Sequence, residues 1–142
     1  MEDTAPYGVM PAGRELDAAV LRQLFKAHVY DTDMELHKAV SANAVTFPYA
    51  EWDRRAGCYM LTLKEHGEWV HIAPSTSWHG MGLVVERMRE LGWHYTIHTV
   101  EKVAGVMVEA RFSSWERGTF DATAETAPHA VALAAIAAVG GE

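Results

Sequence analysis

The segment from Ala124 to Val139 reads AETAPHAVALAAIAAV and carries no charge after Glu125. A helix apolar on nearly every side cannot face water, so any fold of this chain has to wrap it. The start is marked by Thr126, whose hydroxyl can cap the first turn, and by Pro128, placed where a missing N–H costs little. Gly140-Gly141 marks the end. The apolar run is shorter than the roughly 20 residues of a membrane span and is Ala-rich, which reads as a core helix. Its small side chains permit close approach of a sheet or of another copy of the chain.

With 142 residues the chain fits one domain, residues 1–142, able to bury a core without disulfides or metals. Residues 1–10 read as a loose arm. A net charge of −7 and the lack of any Lys/Arg-rich run argue against general nucleic-acid binding. Cys58 is the single cysteine, so no internal disulfide is possible and an inert thiol is expected. Met1 to Met10 is acidic and turn-like rather than a basic-then-apolar leader, and a cytoplasmic protein is expected.

The run PAGRELDAAVLRQLFKAH from Pro11 predicts a first helix, with Leu16, Val20, Leu24 and Ala27 on one stripe and Arg14 and Asp17 on a solvated face. Val29 to Arg55 follows no clean period. MELHKAVSANAV predicts a short helix there, and Phe47, Tyr49 and Trp52 form an aromatic group suited to packing or to stacking on a ligand. Residues 57–74 predict a hairpin about Glu65-His66-Gly67, with Tyr59, Leu61 and Leu63 on one face and His71 on the less buried side of the return strand. WHGMGLVVERMRELG predicts an amphipathic helix ending at Gly92, and Gly80 and Gly82 point to a close approach of a backbone or ligand. Three strands follow, at Trp93–Glu101, Val106–Phe112 and Thr119–Thr123, before the terminal helix. This order predicts an α+β layered sandwich, a largely antiparallel sheet of about five strands covered by three main helices.

Three stretches together resemble the phage ABA sandwich domain family: PAGRELDAAV at 11–20, PSTSWHGMGLVVERMRELGW at 74–93, and ARFSSW with ATAETAPHAVALAAIAAV within 110–139. Val29 to Glu68 is less like the family, and Trp78-His79-Gly80 departs from its pattern, which has a small or acidic residue after the Ser-Thr pair. The resemblance implies an α/β/α sandwich and a phage or prophage origin, with the host bacterial cytoplasm as the place of action. Similar small phage proteins act as host-directed accessory factors, some of them sequestering nucleotide-derived immune signals. No catalytic mechanism or cofactor comes with the resemblance.

No nucleophile elbow, Walker loop, dinucleotide fingerprint or zinc spacing is present. Ser75, Thr76 and Ser77 lie just ahead of a helix, where free N–H groups and the helix dipole favour an anion. A phosphate there needs cations, for which Arg111 and Arg14 are candidates, with His94 and His98 adding hydrogen bonds and Trp78 or Trp115 stacking on a base. The alternative role of the hydroxyls is to cap the helix. His94 and His98 share a strand face, and with His71 or His79 they would supply three metal ligands, although plain polar positions are the simpler expectation. Three functions fit: a non-enzymatic binder of a small phosphorylated signal, acting as a homo-oligomer; an inhibitor bound to a host protein; and a hydrolase of such a signal with His94 or His98 as general base.

Overall fold

A computed structural model describes residues 10–63, 68–103 and 105–140. The element order is α1 (Arg14–Gln23), β1 (His28–Tyr30), α2 (Asp33–Ser41), β2 (Tyr49–Asp53), β3 (Cys58–Thr62), β4 (Trp69–Ile72), α3 (Trp78–Glu90), β5 (His94–Lys102), β6 (Gly105–Ser114), β7 (Gly118–Ala124) and α4 (Ala127–Gly140). The expected layered α+β sandwich is present. Among the described residues it has seven strands in two sheets, rather than about five in one, because residues 28–53 contribute β1 and β2. The expected hairpin turn at 65–67 and the arm at residues 1–9 lie outside the described residues.

The four-stranded sheet has the order β1-β2-β3-β4, with β1 and β2 parallel and the other pairs antiparallel. The three-stranded sheet runs β5-β6-β7 and is antiparallel throughout. One core joins the inner face of this second sheet, through Ala110 and Phe112, to α4 and to Val84 and Met88 of α3. A second core joins Ala50, Tyr59, Leu61 and Ile72 of the first sheet to Ala18 and Leu21 of α1. Helix α1 also sends Leu16, Ala19 and Val20 into the first core. It therefore stands between the sheets with apolar side chains on two sides.

Helix α4 packs on β6, β7, α1 and α3, and Ala130 to Ile136 are all buried. Full burial of Val131 and Ile136 contributes about 1.5–3 kcal/mol each, and the intervening alanines let the neighbouring backbones come close. The His129 N–H donates to the Thr126 hydroxyl at 3.4 Å, the cap read from the sequence. Gly92, with φ 94°, adopts the left-handed geometry that stops α3. Of the two glycines opening α3, only Gly80 makes the expected close approach: a Cβ there would lie 2.7 Å from the Ala73 carbonyl, whereas nothing comes within 4 Å at Gly82.

Candidate functional site

On α1, Arg14, Ala18 and Arg22 follow one another at four-residue spacing and so share a stripe, the two arginines lying roughly 12 Å apart along the axis. Ala18 leaves a gap between them. A cleft of about 570 Å³ opens over this stripe and is lined on its other side by Asp31 and Tyr59. The donors converge on Asp31. Arg22 Nη2 lies 3.3 Å from its Oδ2, the Tyr59 hydroxyl donates to Oδ1 at 3.4 Å, and Arg14 Nη2 donates to its carbonyl at 3.0 Å.

Arg14 is fixed on another side as well. Its guanidinium lies 4.2 Å from the centroid of the Trp52 ring, a cation–π contact, and the edge of Trp52 meets Tyr59 with centroids 5.0 Å apart. The Tyr59 ring belongs to the second core, and burial is the main reason its hydroxyl pKa is raised. Beyond Arg14 a smaller cleft of about 220 Å³ is lined by Arg14, Asp31, Thr32, Asp33, Trp52 and Arg54. It leads to a third, of about 350 Å³, which shares Asp33, Trp52 and Arg54 with it. There Glu51 has its pKa raised, by burial first and then by the charges of Asp33 and Asp53. The Arg54 and Arg55 guanidiniums have no ion pair among the described residues.

Of the eight residues expected to bind ligand, Arg14 is the one in the main cleft. Ser75 is fully buried. Its N–H donates to Asp17 Oδ1 at 2.7 Å, and its hydroxyl accepts from the Gly13 N–H at 2.9 Å. The turn thus already holds an anion, the Asp17 carboxylate. Asp17 itself is 3% exposed, which corrects its placement on a solvated face, and its pKa is raised chiefly by burial, against the lowering effect of the Ser75 bonds. Ser77 caps α3, its hydroxyl accepting from the Gly80 N–H at 2.9 Å and donating to the Ala73 carbonyl at 3.0 Å. Thr76 is exposed, and Trp78 stands 70% exposed.

The remaining three lie elsewhere. Ala110 and Phe112 point into the core, so Arg111 between them points away from the helices. It sits 3.6 Å from Glu109 and 3.7 Å from Asp121, already balanced by carboxylates. His98 contacts Glu109 at 2.9 Å, and His94 is exposed opposite Ser113. His71 belongs to the other sheet, 2.9 Å from Asp53. The described residues contain no group of three or more side chains able to hold a metal ion.

The sequence reading missed Arg22, Asp31, Tyr59 and Arg54. Only the first had a legible signal, the Arg14–Ala18–Arg22 spacing. Comparison of the chain with family models, with curated proteins and with solved structures finds no match. No helix among the described residues is long and apolar enough to cross a membrane.

Proposed function

We propose that this protein is a phage or prophage accessory protein that binds and sequesters a small phosphorylated, nucleotide-derived host signal, with the Arg14–Arg22 cleft as its site. The observation that carries the reading is the convergence of Arg22, Tyr59 and Arg14 on one acidic residue, Asp31. The Arg22 guanidinium and the Tyr59 hydroxyl on the Asp31 carboxylate, with the Arg14 guanidinium beside them on the Asp31 carbonyl, make a donor set that a phosphate can take over, its greater charge strengthening each bond. Glu15 and Asp31 offset the arginines. Affinity therefore rests on close, charge-assisted contacts and should weaken as salt rises.

Binding is favoured over hydrolysis by what the cleft offers. The general base of a hydrolase was expected in His94 or His98, and both sit on the far face of the β5-β6-β7 sheet. An inhibitor of a host protein is the second reading. Trp115, fully exposed, and the largely exposed Trp78 favour it, since bare tryptophans are costly in water and suit interfaces.

The test is to incubate the protein with a panel of nucleotides, wash, denature and identify what is released. Unchanged nucleotide, lost from Arg22→Ala, supports sequestration. Released product would establish turnover instead, and an empty protein would refute the ligand reading in favour of a protein partner.

A further inference from the structure

Strand β7 accompanies β6 only from Val108 onward. Beyond that point β5 and β6 continue as a two-stranded ribbon through the pairs Val100–Met107, Glu101–Val106 and Lys102–Gly105. Met107 still lines a cleft with Met10, Thr123 and Leu133, and the last two pairs carry the ribbon on by roughly 7 Å. Two valines near its end are bare: Val103 is fully exposed and Val106 is 64% exposed. Glu101 and Lys102 flank these valines, and neither has an ion pair among the described residues. A projecting arm with bare valines near its end costs solubility unless something covers it.

The same chain carries a matching receptor. A groove of about 440 Å³ between α3 and the end of the four-stranded sheet has an apolar floor of Phe25, Pro48, Leu63 and Leu83. Lys26, Arg87 and the carboxylates Glu86 and Glu90 stand on its rim. Lys26 has no ion pair among the described residues. Among the described residues Glu86 is held by an exposed pair to Arg89, which rearranges at little cost, and Glu90 by a pair to Arg87, whose Nε also donates to the Leu24 carbonyl at 3.3 Å.

We infer that the β5–β6 arm of one copy docks in this groove of a second copy, Val103 and Val106 entering the apolar floor. Glu101 then pairs with Lys26, and Lys102 faces Glu86 and Glu90. Arm and groove are different surfaces, so the contact is heterologous and builds a ring if the rotation closes or a filament if it does not. The contact is small, which places a single joint at the weak end of specific interfaces.

Solution mass of the full chain, by sedimentation velocity from low micromolar to concentrations on the order of hundreds of micromolar, tests the inference. The expected result is a mass that rises with concentration, and Val106→Asp should weaken association by about tenfold or more while thermal unfolding of the monomer stays unchanged. Glu101→Lys and Lys26→Glu should each weaken it, and the double variant should restore it. Such rescue separates a direct contact from a general loss of stability. A wild-type chain that stays monomeric throughout, an oligomer indifferent to Val106→Asp, or a double variant no better than the singles would each overturn the proposal.

Discussion

Gly80 and Gly82 sit two residues apart in the first turns of α3, and substitution by alanine should move stability in opposite directions. At Gly80 the new Cβ would lie 2.7 Å from both the carbonyl carbon and oxygen of Ala73 and 2.9 Å from the Pro74 Cα. All three are backbone atoms, and they cannot step aside freely. The Ala73 carbonyl accepts from the Thr76 N–H at 3.2 Å, the Ser77 N–H at 2.9 Å and the Ser77 hydroxyl at 3.0 Å. Relief therefore means pushing α3 off the turn that caps it. Overpacking of this kind costs about 1–3 kcal/mol, and a strained cap adds about 1 kcal/mol. Better helix propensity returns up to about 1 kcal/mol, leaving a net loss of about 2 kcal/mol. At Gly82 nothing lies within 4 Å and φ is not positive, so Gly82→Ala should gain about 0.5–1 kcal/mol. Urea unfolding of both variants and the parent, compared at unchanged slope, measures the gap of roughly 2–3 kcal/mol directly. A Gly80→Ala protein as stable as the parent would show that the turn yields, and the steric argument would fail.

Asp17→Asn should leave stability at pH 7 unchanged or higher, because the amide oxygen still accepts from Ser75 while the cost of burying a charge disappears. Burial raises the folded-state pKa of Asp17 above its unfolded value, so its contribution declines as pH rises from the ordinary carboxylate range to that raised pKa. Urea midpoints from pH 4 to 7 should fall more steeply for the parent than for the variant, and parallel curves would refute this. Arg111→Ala should leave nucleotide retention unchanged, in contrast to Arg22→Ala, since Arg111 faces away from the cleft against Glu109 and Asp121. Ile136→Ala should cost about 2–5 kcal/mol in urea unfolding, because this fully buried side chain lies where α4 is enclosed by other elements.

The sequence made visible those elements whose signals are local. The uncharged run of α4, the stripe of α3 and the alternation of β5 and β6 each announce themselves within a dozen residues. β1 and β2 did not, because β1 has three residues and gains its form from pairing with residues about twenty positions on. The site was less legible for the same reason. Arg14 was visible as a cation, but its partners Trp52, Tyr59 and Asp31 come from three other parts of the chain. The Ser75–Ser77 turn looked like an anion site by local chemistry, and the feature that decides its use, the Asp17 carboxylate, lies 58 residues away. Asp17 itself carried a misleading cue: a charge off the main apolar stripe reads as solvated, whereas a helix set between two sheets has little solvated surface.

That distant contact also says something about how the chain is assembled. The Ser75–Asp17 bond, with Gly13 tied to the same serine, joins the two ends of the excursion that makes α2 and the whole four-stranded sheet. Closing a loop of that length costs roughly 3–4 kcal/mol of chain entropy, and the closure is also what brings the start of α1, with Arg14, against the turn before α3. The excursion is in effect a side pouch drawn shut at its neck. A peptide-bond cut in the exposed turn at Arg54–Gly57 would leave two pieces still fastened at that neck, each carrying part of both cores.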